Sequence, residues 1–162
     1  MQQNLKLKCF WDIQHWRKDT LLQKQLCHNA VTVLGKDAVN DTMFGVTAKE
    51  AAWYLGLVDG AGFELLEEAD TMLVHPGWSE LTDYSELTRP QWSPDPSVAG
   101  LAINSLPIDF NITADGSVRG GLLSTDNVIG GTAGLLWGTA DFEELIVEIG
   151  DVIKALYGVQ VG

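Results

Sequence analysis

Leu145-Ile146-Val147-Glu148-Ile149-Gly150-Asp151-Val152-Ile153-Lys154-Ala155-Leu156-Tyr157-Gly158-Val159-Gln160-Val161 closes the chain, and its pattern decides the fold class. Leu145, Val147 and Ile149 alternate up to Gly150-Asp151, and Ile153, Ala155, Tyr157, Val159 and Val161 alternate after it. An apolar residue at every second position marks a strand with one face in a core. A Gly-Asp step between two such runs is a turn. Moving toward the N-terminus, Leu135–Phe142 reads as a further strand behind a loop, Asp126–Gly134, that holds Gly130, Gly131 and Gly134. Ile108, Phe110 and Ile112 alternate before Ala114-Asp115-Gly116, a hairpin signal, and Val118–Ser124 follows as a strand. Trp53, Leu55 and Leu57 share one parity ahead of the turn-like Asp59-Gly60-Ala61-Gly62.

The first residues repeat the alternation. Leu5, Leu7, Cys9, Trp11 and Ile13 fall on one parity, with Lys6, Lys8, Asp12 and Gln14 on the other. Arg17-Lys18-Asp19-Thr20 is a polar break, and Leu21 to His28 reads as the return strand of a hairpin that brings Cys9 near Cys27. Leu34, Ala38, Val39, Thr42 and Met43 form a helical stripe over residues 33–44, with Gly45 as its stop. Glu67–Val74 reads as a short helix or an irregular loop. About eight short strands with turns between them predict a mainly β protein, a β-sandwich or jelly-roll-like domain with an N-terminal hairpin and one short helix. Residues 1–45 form the hairpin and helix, as part of the main domain or an arm to it, and residues 46–162 form the sandwich.

Composition narrows the partners. The chain has 162 residues, 46% hydrophobic, and a net charge of -12, with 10 Lys+Arg against 22 Asp+Glu. Nucleic acid and anionic membrane both need a basic surface, so neither is expected as a partner. No apolar run reaches the ~18 residues of a membrane span, and the N-terminus lacks the apolar stretch of a secretory signal. Two cysteines are no disulfide framework, and a reducing cytosol is the expected place of synthesis. The charge is uneven. Residues 1–28 carry five basic and two acidic residues, and residues 29–162 five basic and twenty acidic ones. Lys6, Lys8, Arg17 and Lys18 therefore mark a face for solvent or for an acidic partner surface.

The chemistry-bearing patterns are few. His15, His28 and His75 lack metal-ligand spacing, and there is no H-E-x-x-H or C-x-x-C. Gly130-Gly131-Thr132-Ala133-Gly134 lacks the lysine of a phosphate loop. Carboxylates such as Glu64, Glu67, Glu68, Asp70, Asp141, Glu143 and Glu144 are dense enough for close pairs by chance. A small glycan-active enzyme is thus a remote alternative. No catalytic residue, metal or cofactor is expected. The Pro-rich stretch 75–96 holds Trp78 and Trp92. These two either pin the loop to the domain or meet a partner or ligand, with Asp83, Glu86 and Arg89 as a polar rim. The loop is expected at or beside an interface.

A longer series of motifs carries a resemblance. Trp53-Tyr54-Leu55-Gly56-Leu57-Val58 is followed by Ala69-Asp70-Thr71-Met72, His75-Pro76-Gly77-Trp78, Tyr84-Ser85, Thr88-Arg89-Pro90 and Trp92-Ser93-Pro94. Gly131-Thr132-Ala133-Gly134-Leu135-Leu136-Trp137 and the Gly150-Asp151 turn come last. This order resembles a family of small virion proteins of tailed bacteriophages. Pro76 and the acidic Glu143, Glu144 and Glu148 depart from it. The resemblance implies a non-enzymatic structural protein, foremost a head decoration (cement) protein that binds the major capsid protein as a homo-oligomer on the outer capsid surface. A tail or neck component, such as a fibre base or receptor-binding module, is the alternative.

Overall fold

A computed structural model describes residues 6–162, so the expected inward packing of Leu5 lies outside the described residues. In chain order the elements are β1 (Leu7–Arg17), β2 (Thr20–Val31), α1 (Val33–Met43), β3 (Trp53–Asp59), β4 (Glu80–Leu81), β5 (Gln91–Trp92), β6 (Leu101–Ile103), β7 (Ile108–Asn111), β8 (Gly116–Ser124), β9 (Leu136–Val147) and β10 (Val152–Val161). The fold is mainly β. The strands form one antiparallel curled sheet, a half-barrel, in the order β4-β3-β8-β9-β2-β1-β10-β6, with β5 added to β3 and β7 to β10. The alternation predicts the two stacked sheets of a β-sandwich or jelly roll, and the structure has one sheet instead. Its two halves are joined because β2 lies along β1 and then reaches β9 through Ala30 and Val31. Alternation reports which side of a strand is buried, not which strand lies beside it.

The sheet curls around one main core. Cys9, Trp11 and Ile13 of β1 and Ile153, Ala155 and Tyr157 of β10 face inward, as their parity requires. Trp11 is fully buried, edge-on to Phe142 at 5.7 Å and to Tyr157 at 5.1 Å. Its ring occupies the space in front of Gly121, where an added Cβ would lie 2.8 Å from ring carbons. The glycine therefore lets the two halves of the sheet approach across the core. The N-terminal hairpin sits inside the sheet, between β9 and β10.

The hairpin turn is tight. Lys18 and Asp19 are its two central residues, both with positive φ, 46° and 63°. Such turns match the right-handed strand twist but favour Asn-Gly, since a lysine Cβ is strained there. Replacing Lys18-Asp19 by Asn-Gly is expected to raise stability by about 1 kcal/mol, read as a higher urea midpoint at unchanged slope.

Helix α1 begins where the sequence places it. The buried Thr32 caps it by accepting the Gly35 N–H at 3.0 Å and also donates to the Leu136 carbonyl. Its expected apolar stripe is only partly covered. Gly35 is its buried residue and sits against the Trp137 carbonyl, and Val39 packs on the core. Met43 and the following Phe44 stay 66% and 76% exposed. Glu67–Val74 is irregular rather than helical.

Candidate functional site

The predicted site residues lie apart. Lys6 and Lys8 are exposed at one end of β1 and Lys18 at the other. The strand from Lys8 to Arg17 spans roughly 30 Å, so these cations make no single patch. Arg17 is already engaged. Its Nε donates to Asp151 Oδ1 at 2.8 Å, Nη2 to Asp151 Oδ2 at 2.9 Å and Nη1 to Glu148 at 2.8 Å. These bonds hold its guanidinium more firmly protonated than usual. His15, two residues before Arg17 on β1, is buried and bonded through Nε2 to Asp151 at 2.7 Å.

Asp151 is the hub of that cluster. Burial acts to raise its pKa, but the bonds from Arg17, the Glu148 N–H and His15 outweigh burial and hold it well below the usual carboxylate range. A depressed folded-state pKa gives a stabilising contribution that is complete above the unfolded value of ~3.9 and fades as pH falls through the acid range. Asp151→Asn is therefore expected to flatten the acid side of a stability–pH curve. Urea midpoints at neutral pH and in acid check this.

Trp78, Trp92 and Arg89 do not share a surface. Trp78 is buried in a small cluster with Val58, Met72, Leu122 and Leu136. It donates its indole N–H to the buried Asp70 at 2.8 Å and stacks under His75 at 3.9 Å. Trp92 belongs to the main core, and its indole donates to the Tyr157 carbonyl at 3.0 Å. Arg89, expected on a rim, is fully buried. It grips Glu80 with two bonds of 2.7 and 2.8 Å and donates to the Asp126 and Gly131 carbonyls. Its backbone N–H also donates to the Asn127 carbonyl at 2.8 Å, so backbone and side chain together tie the Pro-rich stretch to the Gly-rich loop.

The structure brings another set of residues together. Trp53, half-buried, stands edge-on to Trp137 at 5.6 Å and lies in register with Trp92. These three indoles line an apolar cleft of about 450 Å³ whose rim includes Lys49, Glu50 and Gln91. A second groove of about 370 Å³ continues from it under α1, between Ala38, Val39, Thr42 and Met43. The indole N–H groups of Trp92 and Trp137 are spent on the Tyr157 carbonyl and hydroxyl. What these two offer the cleft is ring surface, with charge supplied by Lys49 and Glu50. Such a trough is suited to holding apolar side chains. The sequence signal for it was the α1 stripe itself, whose missing cover no local pattern reveals.

Of the other reactive types, Cys9 and Tyr157 are buried in the core and Cys27 is partly buried against it. Burial pushes the Cys9 thiol up, and burial, then Asp141 and Glu143, push up Cys27; both are free thiols. The Tyr157 phenol is likewise raised by burial. A raised pKa leaves little thiolate and weakens a cysteine as nucleophile or ligand. No family model and no curated protein matches the chain.

Proposed function

We propose that the protein is a non-enzymatic virion structural protein of a tailed bacteriophage, foremost a capsid decoration protein. In this reading it sits on the outer head surface as a homo-oligomer and contacts the major capsid protein. The observation that carries it is the apolar face of α1. Met43, the last residue of α1, is exposed and lines the trough with Trp53 and Trp137, and Phe44 and Val46, just past the helix, are exposed too. Apolar side chains grouped beside an aromatic groove mark a protein contact. The buried charged residues point the same way, since Asp151 and Arg89 are saturated by internal partners. In this reading the contact surface is α1 and the cleft, whose lining includes Gln91, Trp92, Ser93 and Pro94 of the Pro-rich stretch.

Copy number in purified particles of the encoding phage tests the reading. Hundreds of copies per particle is the expected result. Tens or fewer would favour the tail or neck alternative, and none would overturn both. Met43→Asp with Phe44→Asp is expected to weaken attachment to undecorated heads by more than ~2 kcal/mol, the scale of an interface hot spot. Because both side chains are exposed, the melting temperature of the free protein should hardly move. Attachment unchanged by the double variant would remove α1 from the contact.

A further inference from the structure

The curled sheet is incomplete between β2 and β9. These strands pair only at Ala30↔Thr139 and Val31↔Gly138. Below that point β2 keeps β1 on one edge, and among the described residues no strand pairs its other edge. β9 turns aside there. Val118 pairs Leu145 and Gly120 pairs Asp141, so Phe142, Glu143 and Glu144 bulge opposite the single residue Arg119. One side chain crosses the opening. The Gln25 amide donates to the Glu143 carbonyl at 2.8 Å and accepts the Glu143 N–H at 2.8 Å. That paired bond is the one a neighbouring strand would make. Gln25 stands in for a missing strand at one position.

The surroundings suit an incoming strand. The opening, about 460 Å³, is lined by Lys24, Gln25, Leu26, Cys27, His28, Asp141 and Glu143. Proteins usually blunt a free edge with proline, charge or brevity. The edge from Thr20 to Asn29 contains no proline, and its lysine, Lys24, is occupied by Asp12 at 2.9 Å. Leu22 and Leu26 on β2 are 48% and 65% exposed, and Ile146 on β9 is 63% exposed. The β9 side is acidic. Arg119 lies 3.4 Å from Asp141, while Glu143 and Glu144 are exposed and have no ion-pair partner among the described residues.

We propose that the opening between β2 and β9 is a strand-addition site for an extended partner segment that alternates apolar and basic residues. Main-chain bonds to the free edge of β2 supply affinity, as in other strand additions. Apolar side chains cover Leu26 and Ile146, and basic ones pair with Glu143 and Glu144. Gln25 releases Glu143 as the segment enters.

A seven-residue peptide alternating Lys and Val is the probe, with a peptide of equal charge carrying Pro in place of Val as its control. Amide hydrogen exchange and calorimetry on the full chain read the result. The alternating peptide is expected to slow exchange in residues 20–28, while the Pro peptide, unable to donate to a ladder, leaves it unchanged. Glu143→Lys with Glu144→Lys, both exposed, is expected to weaken binding about tenfold or more. Equal binding of the two peptides would reduce the effect to general charge attraction and overturn the proposal. So would no binding, or protection confined to the Trp53 cleft.

Discussion

Arg89→Met is expected to destabilise the protein by about 3–5 kcal/mol, the usual cost of leaving one partner of a buried pair alone. Arg89 is fully buried and Glu80 nearly so, and each oxygen of the Glu80 carboxylate accepts from the guanidinium. Glu80 also accepts the Gly130 N–H at 2.7 Å. Removing Arg89 thus leaves a buried carboxylate and two loop carbonyls, of Asp126 and Gly131, without their donor. Chemical denaturation measures the loss. Adding Glu80→Leu to the variant is expected to recover part of it, because the stranded charge goes with it. A loss under 1 kcal/mol for the single variant would mean that water replaces the guanidinium and that Arg89 is no lock.

Trp11→Ala is expected to cost a similar ~3–5 kcal/mol, through lost transfer energy and an unfilled cavity. Trp11 is the largest side chain with no exposure, and it bridges β1, β9 and β10 through Phe142 and Tyr157. The opposing Gly121 sets a second test of the same contact. Gly121→Ala pushes a methyl group into the Trp11 ring and is expected to destabilise by roughly 1–3 kcal/mol, the range for overpacking. In the Trp11→Ala background that methyl has room, so the Gly121→Ala penalty should shrink. Equal penalties in both backgrounds would show that the two residues do not share the space.

Much of the fold was legible because strand burial is a local, period-two property. The inward residues Cys9, Trp11 and Ile13 and the inward residues of β10 follow directly from parity. The hairpin turn, the start of α1 and the break at Gly150-Asp151 are likewise short-range features of backbone chemistry. The Glu80–Arg89 lock was not legible. Nothing in the stretch from Glu80 to Arg89 marks an arginine as buried, since that depends on carbonyls supplied from 126 and 131. His15 and Asp151 are 136 residues apart and meet because β1 and β10 pair.

The sequence by itself determined that the chain is mainly β, where its hairpin and helix fall, which parity of β1 and β10 is buried, and that the charge is strongly acidic. Each of these rests on neighbours within a few residues or on composition. The tertiary structure alone decided that the strands make one curled sheet, that Trp78, Trp92 and Arg89 turn inward, and that Trp53 and Trp137 line a cleft beside an uncovered α1. It also decided that β2 and β9 part below Ala30. The physical reason is that a strand's side-chain pattern specifies a buried face but not the partner at either edge. Edges, clefts and buried ion pairs are set by contacts between distant segments.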